Sequence, residues 1–261
     1  MPAAPSATAP QPGDGYVQSF ARGLEVIRSF SADAPAQTLS EVAARTGLTR
    51  AGARRILLTL QTLGYVESDG RQFRLTARIL DLGFAYLSSL PLWSRAEPVM
   101  EALVEQVKES SSAAVLDGSD IVYVLRVPTH KIMSITLGVG SRLPAWCTSM
   151  GRVLLAGLDD AEVLRRLRAA RPRPLTRHTV TDIDALLARV QQARRQGWSL
   201  VNQELEEGLI SLAAPITDRS GRVVAALNLS GQANRTSPRI AQETLLPPLL
   251  AAARAISQRL G

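Results

Sequence analysis

Apolar positions recur first at helical and then at strand spacing. In VQSFARGLEVIRSFS, residues 17–31, Phe20, Leu24, Ile27 and Phe30 fall three or four apart, which predicts a first helix. ADAPAQ reads as a turn-rich break. In TLSEVAARTG, Glu41 follows Thr38 by three positions, a capping-box pattern, and Gly47 is a helix stop, so a short second helix is expected at 39–46. LTRAGARRILLTLQTLG comes next, with Thr49 to cap it and Gly64 to end it. On a helix at 50–63, Ala53, Ile56, Leu57, Leu60 and Leu63 share one side; Ala51, Arg54 and Arg55 lie opposite, with Arg50 at the margin. The period then shortens. Tyr65-Val66 and Phe73-Arg74-Leu75 flank Asp69-Gly70, a hairpin signal. Ile79, Leu80, Leu82, Phe84 and Leu87 predict a further helix at about 77–89, with Pro91 marking its break.

Beyond that break helices and strands mix. Helices are expected at 93–110, in CTSMGRVLLAGL (opened by Thr148 or Ser149), in DAEVLRRLRAA and in DIDALLARVQQARRQG. SAAVLDGSDIVYVLRV reads as a hairpin around Asp117-Gly118, and KIMSITLGVGSRLP as another strand and loop. GWSLVNQEL, LISLAAPITD and RVVAALNLSG are strands, and the terminal helix is interrupted at Pro247-Pro248. No internal repeat is present.

Composition narrows the class. The chain has 261 residues, 46% apolar but only 4% aromatic, so aliphatic side chains must fill its cores. The formal charge is +7, and Lys108 and Lys131 are the only lysines among 30 cations. An arginine excess suits phosphate and guanine recognition; a GC-rich coding sequence is the bland alternative. Cys147 stands alone, so no intramolecular disulfide forms, which fits a reducing, cytoplasmic compartment. No apolar run is long enough to cross a membrane. Residues 1–15, MPAAPSATAPQPGDG, lack the pattern of a secretory signal and read as a disordered tail.

Three helices followed by a hairpin, over 16–76, predict a winged helix-turn-helix. An α-helix fits the DNA major groove, and the N-terminal residues of the second motif helix reach base edges. The candidate DNA-binding residues are Thr38, Thr49, Arg50, Ala51, Arg54 and Arg55, with Arg71 and Arg74 in the hairpin for flanking phosphates. Three cations at a helix start oppose the macrodipole on a free helix but suit an anionic partner. An ordinary solvated face is the competing reading of these arginines, weakened by the order of the surrounding elements.

The stretches SFARGLEVIRSFS, TLSEVAARTGLTRAGARRILLTLQTLGYV, FRLTARILDLGFAYLSS, SRLPAWCTSMGRVLLAGL and VNQELEEGLISLAAPITDRSGRVVAALNLSG together resemble the IclR-type bacterial transcriptional regulators, from about Tyr16 to the C-terminus. RAGARRILLTLQTLGYV and YLSSLPLWSRAEPVM are most similar to the branch controlling protocatechuate, 4-hydroxybenzoate and β-ketoadipate catabolism. The resemblance implies an α+β fold: the winged helix, a linker helix at 77–92 used in dimerisation, and a GAF-like effector-binding and oligomerisation domain at 93–261. It implies a double-stranded, palindromic DNA operator, a small aromatic or β-keto carboxylic acid effector, a homodimer or dimer of dimers, and neither membrane nor cofactor. It leaves RNA polymerase open as a further partner.

Carried over residue by residue, the resemblance implies an effector pocket walled by Ile132, Met133 and Ile135, by Trp146, Ser149 and Met150, and by Ser211, Asn228 and Ser230. A helix start at Ser149–Met150 offers free N–H groups to a carboxylate, and Asn228 and Ser230 share a strand face. Family members often carry a small residue where Met150 stands, so ligand choice is expected to differ. Arg142 and Arg152 are further candidates for a carboxylate. Plain core is the competing reading of Ile132, Met133 and Ile135, and strand-end satisfaction that of Asn228 and Ser230. Cys147 is expected as a buried small hydrophobe, and Glu204, Glu206 and Glu207 as a solvated loop rather than a metal site. His130 and His178 are the only histidines, and phosphate-loop, dinucleotide and nucleophile-elbow motifs are absent. The rivals are a hydrolase pairing Ser149 or Cys147 with His178, and a DNA-binding protein without a sensing site.

Overall fold

In a computed structural model the chain is described at residues 13, 15–88, 92–129 and 137–260. Apart from Gly13 and Gly15, the expected N-terminal tail lies outside the described residues. The chain divides into two compact units, at Tyr86/Leu87.

The first unit runs α1 (Gln18–Ser29), β1 (Ala36–Thr38), α2 (Leu39–Thr46), α3 (Arg50–Thr62), β2 (Val66–Ser68) and β3 (Gln72–Leu75), then a 3₁₀ turn at Ala77–Ile79 leading into α4 (Leu80–Ser88). The capping box of α2 forms as the sequence indicates: Thr38 N–H donates to the Glu41 carboxylate at 2.7 Å, and Glu41 N–H donates to Thr38 Oγ1 at 3.4 Å. Gly47 ends α2 at φ 67°, a left-handed conformation that costs glycine little. Val26, Val42, Ala43, Ala53, Leu57, Leu60 and Val66 form one buried cluster.

Two expectations change. The ADAPAQ segment is not merely a break: Ala36–Thr38 pair antiparallel with β3, giving the three-stranded order β1-β3-β2. The apolar face of α1 is also only half used. Val26 is fully buried, and Ile27 and Phe30 pack on the cluster, whereas Phe20 and Leu24 are 68% and 43% exposed. The first turns of α1 outrun this small core, and an open groove separates α1 from α3, where Leu63 is also exposed.

The second unit runs α5 (Leu92–Val107), β4 (Ser110–Asp117), β5 (Asp120–Val127), β6 (Arg142–Pro144), a 3₁₀ turn at Ala145–Cys147, α6 (Ser149–Ala156), α7 (Asp160–Ala170), α8 (Ile183–Gln196), β7 (Ser199–Asn202), β8 (Leu209–Thr217), β9 (Val223–Gln232), α9 (Pro238–Ile240) and α10 (Leu246–Arg259). The sheet is antiparallel, in the order β6-β5-β4-β9-β8-β7. Its faces carry separate cores. Leu212, Leu227 and Leu229 pack with α5 and α10; Ala114, Tyr123, Ala213 and Ala226 pack with α6, α7 and α8. Small residues on the second face let α6 approach closely, and that face holds the cavity described below.

α5 stops at Val107 rather than 110 because Lys108 takes a left-handed φ of 56° and turns the chain into β4. The interruption expected at Pro247-Pro248 falls earlier. Ala241–Leu245 form a π-helical turn between α9 and α10, while the two prolines sit in the first turn of α10, where a missing N–H costs nothing. Among the described residues no helix is long and apolar enough to cross a membrane.

Candidate functional site

The first site is a surface. Thr49 caps α3 by accepting from Gly52 N–H at 3.1 Å, and Thr49, Arg50, Ala51, Arg54 and Arg55 are all exposed. The side chains of Arg50, Arg54 and Arg55 make no hydrogen bond or ion pair among the described residues. Arg55 lies on the rim of the groove facing α1, and Arg54 does not line it. In the hairpin, the Asp69 carboxylate accepts from the N–H groups of Arg71 and Gln72 at 2.9 and 2.8 Å, which holds its pKa below the usual carboxylate value. That turn presents exposed Arg71 and Arg74, the latter 3.8 Å from Asp69. Thr38, half-buried, is committed to the capping box.

The second site is a cavity between the sheet and the start of α6. Ser149, Met150, Ser211, Asn228 and Ser230 line it together, as anticipated. Asn228 is buried and fixed in orientation: its Oδ1 accepts from Ser112 N–H at 2.9 Å, and its Nδ2 donates to Ser230 Oγ at 2.9 Å and Ser211 Oγ at 3.2 Å. Ser149 Oγ meets Ser211 Oγ at 2.7 Å. Three hydroxyls and an amide therefore share one polar end of a cavity whose other walls include Leu137, Leu143, Met150 and Val201.

The start of α6 is built for close approach. Thr148, rather than Ser149, is the N-cap, accepting from Gly151 N–H at 3.2 Å, so the Ser149 hydroxyl is left to the cavity. A Cβ on Gly151 would stand 2.1 Å from the Ala145 carbonyl oxygen, so only glycine lets the 3₁₀ turn lie against the helix. The enclosed free volume is about 30 Å³, room for a water or two. A larger ligand enters only if a lining side chain moves, and Met150, buried at the wall, is the most adaptable.

Several expectations are corrected. Trp146 does not line the cavity; it is buried in the core beneath α6, and its carbonyl accepts from Arg152 Nε at 3.2 Å. Ile132, Met133 and Ile135 lie outside the described residues. Neither Arg142 nor Arg152 faces the cavity. Arg142 pairs with Asp117 at 2.7 Å and Asp120 at 3.3 Å, while Arg152 makes a buried, bidentate pair with Glu204 at 2.8 and 2.6 Å. Glu204 is accordingly not part of a solvated loop: it is 8% exposed and also accepts from Val180 N–H at 3.3 Å. Cys147 is buried, and that burial pushes its thiol up to about 12, so it remains protonated and inert. His178 is exposed and accepts from Arg177 Nε at 3.2 Å, whereas the Ser149 hydroxyl is engaged with Ser211.

The family model described as the IclR helix-turn-helix domain matches residues 19–70, and that described as the bacterial transcriptional regulator IclR C-terminal matches 84–258. The chain belongs to the IclR family. It is a DNA-binding transcriptional regulator. It is 44% identical over 246 residues to the Pca regulon regulatory protein of Pseudomonas putida, covering 94% of this chain and 84% of that protein. It is 34% identical to the p-hydroxybenzoate hydroxylase transcriptional activator of Acinetobacter baylyi, covering 90% and 89%. The crystal structure of an IclR homologue from Microbacterium hydrocarbonoxydans complexed with 4-hydroxybenzoate superposes with a TM-score of 0.80 at 29% identity, covering 93% of this chain and 98% of that one.

Sequence reasoning missed several lining residues of this IclR-family cavity, among them Tyr123 and Arg126 of β5, Leu205 and Leu209. Simple alternation along IVYVLRV gave no reason to bring Tyr123 and Arg126 to the same face. The signal lies in strand pairing, which one sequence does not display.

Proposed function

We propose that this IclR-family regulator controls genes of aromatic-acid catabolism, reading a palindromic operator with α3 and sensing a small aromatic or β-keto carboxylic acid in the cavity beneath α6. The observation that carries the sensing half is the Ser149–Ser211–Asn228–Ser230 cluster, a polar end in an otherwise largely apolar chamber. Such a chamber suits a ring with oxygen substituents. The N–H groups of Ser149 and Met150, in the first turn of α6, add donors for a ligand oxygen. The named relatives support the same ligand class.

On DNA, Arg54 is the base-reading residue, since it stands exposed near the start of α3 and clear of the groove. Arg55 and Arg50 flank it, Thr49 and Ala51 complete the contact surface, and Arg71 and Arg74 hold flanking phosphates. Thr38 acts through its cap on α2. A palindromic operator calls for two copies of the unit, and the exposed Leu80, Leu82, Phe84 and Tyr86 of α4 give a homodimer, or dimer of dimers, an apolar surface to bury. RNA polymerase is the further partner if the protein activates. The protein acts in the cytoplasm, where its DNA is.

The test is an operator-binding assay with the full chain and a duplex that it selects from a random pool, with and without 4-hydroxybenzoate, protocatechuate or β-ketoadipate. One of these acids is expected to shift the operator affinity or the footprint. A selected operator indifferent to all three refutes the effector class.

A further inference from the structure

We propose that Arg126 is the specificity-determining cation of the cavity: it holds the effector's carboxylate, leaving the hydroxyl–amide cluster to the opposite substituent of the ring. This rests on reading the cavity as an organic-acid site, and adds the direction in which the acid lies.

The placement follows from a defect in the β4–β5 ladder. Tyr123 pairs with Ala114 and Leu125 with Ala113, so Val124 is an extra residue, a β-bulge. Before the bulge, Ile121 and Tyr123 face the α6 side. Strict alternation from Tyr123 would send Leu125 to that side and bury Arg126 among the aliphatic residues beneath α5 and α10. The bulge reverses the parity: Val124, Leu125 and Val127 join that apolar core, and Arg126 lines the cavity beside Tyr123. A bulge that re-aims one side chain of a strand is a recurrent device next to binding sites.

The ladder also fixes the strand position from which Arg126 reaches the cavity. Arg126 is opposite Ser112 on β4, and Ser112 is opposite Asn228 on β9. Residues directly opposite share a face, so Arg126 and Asn228 occupy one row of the cavity floor, two strands and about 10 Å apart. A monocyclic aromatic acid, seated once a lining side chain such as Met150 moves, would then have one polar partner toward each end of that row. The chemistry differs between ends. Arg126 offers a charged fork that matches a carboxylate, whereas the Ser149, Ser211 and Ser230 hydroxyls and the Asn228 amide suit a neutral hydroxyl. Neither Arg142 nor Arg152 lines the cavity, and Arg126 does. The charge of Arg126 also acts on the Tyr123 hydroxyl, pulling against the burial that raises it to about 12.

The experiment is calorimetry on the full-length protein, wild type against Arg126→Gln and Arg126→Lys, with 4-hydroxybenzoate, protocatechuate and the neutral 4-hydroxybenzamide as probes. Wild type is expected to bind an acid and to discriminate against the amide. Arg126→Gln should weaken the acid by roughly tenfold to a hundredfold, the worth of a charged hydrogen bond, and leave the amide unchanged. Arg126→Lys should recover part of the loss, since it restores the charge but not the fork; it also serves should the glutamine variant not fold. Wild-type affinity for the acid in either folded variant overturns the assignment of Arg126 alone. A wild type that binds neither of these acids nor β-ketoadipate refutes the cavity reading, and this inference with it.

Discussion

Arginine does opposite work in the two units. Around α3, Arg50, Arg54 and Arg55 stand exposed without an ion pair among the described residues, and the hairpin adds Arg71 and Arg74. In the second unit several arginines are instead spent internally. Arg142 bridges Asp117 and Asp120, Arg166 pairs with Glu162 at 2.6 Å, Arg194 pairs with Asp160 at 2.8 Å, and Arg152 is buried against Glu204. The arginines at the start of α3 stand open to an outside anion, whereas these four of the second unit are neutralised in place.

The largest effect in this comparison belongs to the buried pair. Glu204→Ala strands the Arg152 guanidinium at 2% exposure and should destabilise the protein by about 3–5 kcal/mol in urea unfolding, the cost of an uncompensated buried charge. A change below about 1 kcal/mol would mean that this pair behaves like a surface one. Next comes Arg54→Ala, expected to remove about 1–3 kcal/mol of discrimination for the selected operator over scrambled duplex while leaving the unfolding midpoint alone. Equal losses on both duplexes would make Arg54 a backbone contact. Arg71→Ala should act in that second way, weakening all duplexes alike and lowering the slope of log affinity against log salt by about one.

The smallest effect is electrostatic and exposed. Glu162, bonded to Arg165 and then Arg166, has its pKa lowered from 4.5 to about 2. A depressed acid stabilises the fold at pH above its unfolded value, and that contribution disappears as the pH falls from about 4.5 to 2. Glu162→Gln should therefore cost less than about 1 kcal/mol at neutral pH, and its stability curve should meet the wild-type curve near pH 2. Curves that stay parallel down to that pH would assign the loss to packing instead.

The first unit was legible because its signals are local. The Thr38–Glu41 box, the Thr49 cap and the Asp69-Gly70 turn each specify geometry within four residues, and each forms. β1 was missed because Ala36–Thr38 become a strand only by pairing with β3, more than thirty residues on. The cavity was half legible. Ser149, Ser211, Asn228 and Ser230 converge as the family resemblance implied. Trp146 failed because an aromatic residue beside a pocket serves core packing equally well, and it is buried in the core under α6. Arg126 was missed and Glu204 misread for a like reason: a bulge in one case and a distant ion-pair partner in the other, properties of the folded chain, decide which way each points.

The separation of roles between the units has one direct measurement. Full-length protein carrying Arg54→Ala and Arg55→Ala is titrated with the selected operator at physiological salt and, in parallel, with 4-hydroxybenzoate. The account predicts operator affinity at least about tenfold weaker, as expected for one lost base contact, and acid binding equal to wild type. Unchanged operator affinity would contradict the assignment of α3 as the reading helix.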